Sequence, residues 1–144
     1  MSLPDDVRLQ ADASLAPEDI NAAYAWVEWP TRDAWRLEAV SRSCTWFAAR
    51  DTDGALVGIG RLLDDGGLHA SLWDVIIRPD RQRQGIGRAL VEMALDHASD
   101  RRLVAIVSTP TAVPFFRTLG FQNESHGHEA MYLRPGTTAT HEDH

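Results

Sequence analysis

The chain has 144 residues, room for one domain, and is 44% hydrophobic and 24% charged. That balance excludes collagen-like, low-complexity and largely disordered chains. Fourteen basic residues against 21 acidic ones leave a formal charge of −7, the reverse of what phosphate-neutralising nucleic-acid modules carry, and all the basic residues are arginine, so lysine-based covalent chemistry is excluded.

Val7 to Ala11 alternates and predicts a short first strand. Between Ser14 and Trp29 the apolar positions Ile20, Ala23, Tyr24 and Val27 recur at helical spacing, with Pro17 near the start and Pro30 as the stop. Thr31 reads as the cap of a second helix that runs to about Arg42. Thr45–Arg50, Ala55–Leu62 and Leu68–Arg78 predict three strands joined by turns at Asp53-Gly54 and Asp64 to Gly67. Turns that tight join only antiparallel strands. Trp73 to Ile77 is apolar except for Asp74, which predicts a strand covered on both faces. Gly85 to about Asp100 carries a stripe of Ile86, Ala89, Leu90, Met93, Ala94 and His97 and predicts the longest helix. Leu103–Val107 reads as a buried strand and Thr111–Leu119 as a short helix ended by Gly120. Phe121 and Ala130 to Leu133 read as closing strands. Residues 136–144 read as a frayed tail. The whole predicts a mixed α/β, three-layer single domain over residues 1–135.

Cys44 has no partner for a disulfide and reads as a small buried strand residue. The N-terminal twelve residues lack a signal-peptide pattern, and no apolar run approaches the ~20 residues that cross a bilayer. The expectation is a cytoplasmic protein that binds neither membrane nor nucleic acid. His126, His128, His141 and His144 have no structural-zinc spacing, so no metal is expected.

The segment that carries chemistry runs from Val75 to Leu90. A strand, Val75-Ile76-Ile77, leads through Gln82-Arg83-Gln84 and two glycines, Gly85 and Gly87, straight into a helix. Unpaired N–H groups at a helix start, with glycines that let a ligand come close, make an anion site suited to a pyrophosphate. Arg81, Arg83 and Arg88 add positive charge. A P-loop would need a lysine, and a dinucleotide fingerprint would need glycine where Leu90 stands.

Gln82-Arg83-Gln84-Gly85-Ile86-Gly87 resembles the acyl-CoA signature Q/R-x-x-G-x-G/A of the GNAT superfamily of N-acetyltransferases. Phe115-Phe116-Arg117-Thr118-Leu119-Gly120-Phe121 is similar to that superfamily's F-Y-x-x-x-G-F segment. The resemblance covers roughly residues 6 to 135. It implies a largely antiparallel central sheet split between the Asp74–Arg78 and Leu103–Val107 strands to hold acetyl-CoA. Backbone groups of Val75, Ile76 and Ile77 would pair with the pantetheine arm, and amides of Arg83 to Arg88, after Gln82, would hold the pyrophosphate. A neutral amine would attack the thioester directly. The superfamily's usual tyrosine acid falls at Phe116, which cannot donate a proton, and its common asparagine falls near Pro110; water, Ser108 or Tyr132 could substitute. Members often dimerise through their C-terminal strands, so a homodimer is one expected state.

Asp74 interrupts an apolar strand beside the implied thioester channel and is the leading candidate base; the alternative is a plain inter-strand hydrogen-bond acceptor. His69 is a weaker candidate, and strand alternation sets it on the opposite face from Asp74 unless a bulge intervenes. Trp29, with Glu28 or Asp33, is the candidate rim of an acceptor pocket that would suit a cationic amine. The reading that results is an acetyl-CoA-dependent N-acetyltransferase acting on a small-molecule primary amine. The alternatives are a protein or peptide N-acetyltransferase and, because of Phe116, a non-catalytic acyl-CoA-binding module.

Overall fold

The structure is a computed structural model that describes residues 2–123 and 126–136. The chain forms two compact units divided after Val107.

In the first unit, β1 (Arg8–Gln10), β2 (Cys44–Arg50), β3 (Leu56–Asp64), β4 (His69–Ile77) and β5 (Leu103–Ile106) form one sheet in that order. The tight turns enforce antiparallel pairing from β1 to β4, while β5, which follows a helical crossover, pairs parallel to β4. Helices α1 (Pro17–Trp26) and α2 (Ala34–Ser43) cover one face and α3 (Ile86–His97) the other. Ile20, Ala23 and Tyr24 of α1 are buried in a core with Leu37, Trp46, Ala48, Ile59 and Ile76. On the opposite face the Phe47 ring meets His97 of α3 at 5.7 Å.

Pro17 opens α1 as expected, and the Asp19 carboxylate reaches back to accept from the Ala16 amide at 3.0 Å. The cap of α2 is Asp33 rather than Thr31. The residues before it are held out of the helix by Asn21, whose side-chain amide exchanges two hydrogen bonds with the backbone of Arg32, at 2.9 and 3.0 Å.

Two expectations about strands are corrected. β5 is an edge strand with Leu103 and Ala105 exposed, not a buried one. No closing strand forms at Phe121 or Ala130–Leu133 among the described residues. An apolar run needs cover on both faces to sit in a sheet, and Met131, Tyr132 and Leu133 stand 89%, 71% and 87% exposed.

The second unit begins with a 3-10 turn, Pro110–Ala112, and continues as α4 (Val113–Thr118). Gly120 takes φ +98°, the left-handed conformation that ends a helix, and the Phe121 amide donates back to the Phe116 carbonyl at 3.2 Å. The expected tail from residue 137 onward lies outside the described residues.

Candidate active site

The sheet opens where chemistry was expected. β4 pairs with β5 only from His69 to Leu72, opposite Leu103 to Ile106. On its other side β4 stays paired with β3 as far as Ile77. Among the described residues, the β4 edge from Trp73 to Ile77 therefore has no strand beside it, although it is anchored from behind. An edge of this kind accepts an extended ligand as an added strand.

Within that stretch lies a bulge. Ile59 pairs with Ile76 and Arg61 with Trp73, so Gly60 alone opposes Asp74 and Val75. Asp74 takes φ +53°, a left-handed conformation rare for a residue with a side chain. The extra residue resets the alternation. Trp73 and Asp74 both face α1, while Val75 turns to the α3 side, where a Cβ on Gly60 would lie 3.7 Å from its Cγ2. The bulge brings Asp74 onto the same face as Ser71 and His69, contrary to simple alternation. His69 stays exposed, five residues away, or about 16 Å along the strand at ~3.3 Å per residue.

The Asp74 side chain is fully buried, at 0% exposure. Its Oδ2 accepts from the Tyr24 hydroxyl at 2.7 Å and from Arg61 Nε at 2.7 Å. Burial, and then the neighbouring Asp74 charge, push the Tyr24 phenol well above its ordinary value, so it stays a donor. Burial works against the Arg61 cation, but the charge and hydrogen bond of Asp74 outweigh it and raise the guanidinium above its ordinary value. Arg61 lies between the rings of Trp46 and Trp73, 5.9 and 5.8 Å from their centroids. Its Nη1 donates to Cys44 Sγ at 3.3 Å, so Cys44 is a half-buried acceptor rather than an inert core thiol.

Trp29 joins this group through Tyr24, the two rings 5.7 Å apart and tilted. Glu28 and Asp33 lie at the surface nearby in sequence. Tyr24 and Arg61 were not singled out by sequence reasoning. A signal for Arg61 existed: one arginine in the apolar stretch Leu56–Leu62 and one aspartate in the neighbouring strand are two costly charges that favour each other as partners.

After Ile77 a 3-10 turn, Pro79–Arg81, leads to the loop. Gln82 Nε2 donates to the Ile77 carbonyl at 3.1 Å, folding the loop back on the strand end. Arg83 and Gly85 adopt φ +62° and +86°, and Gly85 caps α3. The first helical bond runs from the Ala89 amide to the Gly85 carbonyl, and the amides of Arg83, Gln84, Gly85, Ile86 and Gly87 make no hydrogen bond among the described residues. Left-handed residues beside unpaired amides at a helix start are the backbone geometry that can hold an anion in a nest. Arg81 contributes differently from expectation: it is clamped by both oxygens of Asp6, each at 2.8 Å, and ties the N-terminal segment to the loop. Arg88 pairs with Glu92 at 3.6 Å, while Arg83 has no ion pair among the described residues.

Phe116 lies in the second unit, buried between the rings of Phe115 and Phe121, at 4.9 and 5.8 Å. Ser108 belongs to that unit, and so does Tyr132, whose side chain is exposed. No group of three or more His, Cys, Asp or Glu able to hold a metal occurs among the described residues, and none of their helices is long and apolar enough to cross a membrane.

The chain is similar in structure to a GNAT-family acetyltransferase of Streptococcus pneumoniae, with a TM-score of 0.77, 28% identity, and coverage of 91% of this chain and 99% of the other. Among sequence relatives, the histone acetyltransferase TAP1 of Glycine max is 28% identical, covering 81% of this chain and 56% of its own length. The chloroplastic serotonin N-acetyltransferase 2 of Oryza sativa is 32% identical, covering 71% of this chain and 54% of its own. The chain thus spans little more than half the length of these two relatives. Residues 13–121 match the acetyltransferase (GNAT) family, and this chain belongs to that family of acyltransferases.

Proposed function

We propose that the protein transfers an acetyl group from acetyl-CoA to a primary amine of a small molecule. The observation that carries this reading is continuous: the unaccompanied β4 edge runs from the Asp74 bulge through Ile77 directly into the nest of unpaired amides at Arg83–Gly87. That path suits a ligand with an extended amide-bearing arm and a pyrophosphate, and acetyl-CoA is the donor that family membership implies. Residues 1–135 act as one domain in this reading, because the family match crosses the boundary between the two units.

Acetyl-CoA supplies an activated acyl carbon: the amine nitrogen bonds to it, the C–S bond breaks, and CoA leaves as a thiolate. The amides of Arg83 to Gly87, followed by Arg88, bind the pyrophosphate, with Gln82 bracing the loop. Val75, Ile76 and Ile77 orient the arm by strand pairing. Asp74, ionised beside Arg61, takes the proton the amine must lose. Trp29 shapes the acceptor side through its contact with Tyr24. Phe116 contributes packing and no proton. A thiol pKa near ~8.5 makes CoA a fair leaving group, so water suffices to reprotonate it. The cytoplasmic setting rests on the lone cysteine.

A protein or peptide acceptor is the second reading, supported by the net charge of −7, which attracts basic peptides, and by the resemblance to TAP1. Calorimetric titration with acetyl-CoA, CoA and NADH, followed by thiol release with a panel of amines and basic peptides, tests the reading. Micromolar binding of both CoA species, none of NADH, and turnover with small amines are expected. CoA binding without turnover on any acceptor would make the chain a binding module. Absent CoA binding would overturn the reading.

A further inference from the structure

Asp74 is held with more apparatus than an inter-strand contact requires. Its left-handed backbone sits in a bulge, and its buried Oδ2 takes two donors from different elements, Tyr24 of α1 and Arg61 of β3. Each donor is itself fixed. Arg61 lies between two indoles, and both indoles are pinned: Trp46 Nε1 donates to Ser41 Oγ at 3.0 Å and Trp73 Nε1 to Ser71 Oγ at 2.7 Å. Cys44 Sγ takes a further arm of the guanidinium. Tyr24 is buried in the core against Trp29. A buried ion pair is a weak device for stability, since apolar residues of similar volume serve as well or better. Strained backbone and a locked rotamer are, by contrast, what a reacting group needs from its surroundings.

We infer that Arg61 and Tyr24 are positioning residues for acyl transfer, acting through Asp74: Arg61 keeps the carboxylate charged inside the protein, and Tyr24 fixes its orientation at the bulge. The inference rests on the reading of Asp74 as the acceptor of the amine proton. The charged and titratable groups that the described contacts bring to Asp74 include Arg61 from β3 and Tyr24 from α1, with Arg32 acting on Tyr24 and Cys44 of β2 on Arg61. Arg61 Nε bonds the carboxylate directly, at 2.7 Å. Removing that cation takes away a charge that favours the ionised carboxyl and leaves the cost of burial less opposed, so the acidic limb of turnover would move to higher pH.

The test uses the full chain labelled with 13C, following the Asp74 carboxyl carbon by NMR across pH 4–9 in wild type, Arg61→Met, Arg61→Lys and Tyr24→Phe. Acetyl-CoA affinity and the pH profile of thiol release are measured alongside. The expected result is a carboxyl midpoint raised by about one pH unit or more in Arg61→Met, recovered for the most part in Arg61→Lys, and raised less in Tyr24→Phe. The acidic limb of kcat should move with it while the KM for acetyl-CoA holds. Should Arg61→Met fail to fold, Arg61→Lys and Tyr24→Phe carry the same comparison with smaller shifts. A midpoint unmoved in every variant that folds overturns the inference alone. A moved midpoint with an unmoved rate profile also overturns it, because the coupling is then not used in turnover. A wild-type protein that neither binds acetyl-CoA nor releases thiol overturns the functional reading and this inference together.

Discussion

The Tyr24 hydroxyl and the Asp74 carboxylate lie 2.7 Å apart, although 50 positions separate them in the chain. The bond joins α1 to β4 across the core, and its acceptor is charged and buried. Such bonds are worth about 1.5–3 kcal/mol. Tyr24→Phe keeps the ring and its packing on Trp29 but removes the donor, so chemical denaturation should show a loss of about that size. Acetyl-CoA affinity should stay near wild type, because the nest lies beyond the far end of β4. A stability loss below about 0.5 kcal/mol would mean that water replaces the hydroxyl at a site the structure buries.

Gly85→Asp should abolish CoA binding. Aspartate tolerates the φ of +86° better than most residues, so the backbone is the smaller problem. The charge is larger: at ~5 Å and an effective dielectric of ~20, each phosphate charge would be repelled by about 3 kcal/mol, a loss on the order of 100-fold. Gly85→Ala separates the two effects, since it brings about 1–2 kcal/mol of left-handed strain and no charge. Calorimetry should therefore rank the affinities wild type, Gly85→Ala, Gly85→Asp, and equal affinity for wild type and Gly85→Asp would remove the pyrophosphate from this loop.

Periodicity and turn chemistry made the first unit legible. Apolar spacing from Ile20 to Val27, the Asp53-Gly54 turn and the Gly85 cap are local signals, and each has its counterpart in the fold. The run of unpaired amides from Arg83 to Gly87 was legible for the same reason, since it is set by consecutive residues. Asp74 stood out because a lone charge in an apolar strand demands a partner. Which partner it has was not legible: Tyr24 reads as one more apolar-face residue of α1, and Arg61 reaches Asp74 only through the pairing of β3 with a bulged β4. The bulge itself left no mark, because glycine stands at position 60 while the left-handed residue is an aspartate. The closing strands failed for the opposite reason, since Ala130–Leu133 has strand composition but no covered face.

Gly58 shows how closely α3 approaches the sheet. A Cβ there would lie 2.8 Å from Ile77 Cδ1, 3.1 Å from Leu90 Cδ1 and 3.4 Å from Ile86 Cγ2. Ile77 can swing its terminal methyl away, but Leu90 and Ile86 belong to the helix that carries the nest. Overpacking of this kind costs about 1–3 kcal/mol, against a gain of about 0.5–1 kcal/mol for replacing a strand glycine with alanine. Gly58→Ala should therefore lose about 1 kcal/mol net and weaken CoA binding by shifting the start of α3. A variant as stable as wild type, with undiminished affinity, would show that α3 does not rest on Gly58.

Acid should loosen the β3–β4 turn before the rest of the sheet. Arg101 donates to both oxygens of Asp64, at 2.8 and 3.1 Å, and that pairing, helped by the Gly66 amide, holds the carboxyl below its ordinary value of 3.8. Asp65 is lowered too, by the amides of Gly67, Leu68 and His69. A carboxyl depressed in the folded state stabilises fully above its unfolded pKa, and that contribution disappears as the pH falls through 3.8 and on through the lower folded value. Thermal stability should stay level from neutrality to about pH 5 as far as these two groups are concerned, then drop toward pH 2. Asp64→Asn keeps the shape of the side chain but cannot be protonated. The variant should start less stable at neutral pH and lose less on acidification, so that the two melting curves converge at low pH. Parallel decline of wild type and variant from pH 5 to 2 would assign the acid sensitivity to other carboxylates.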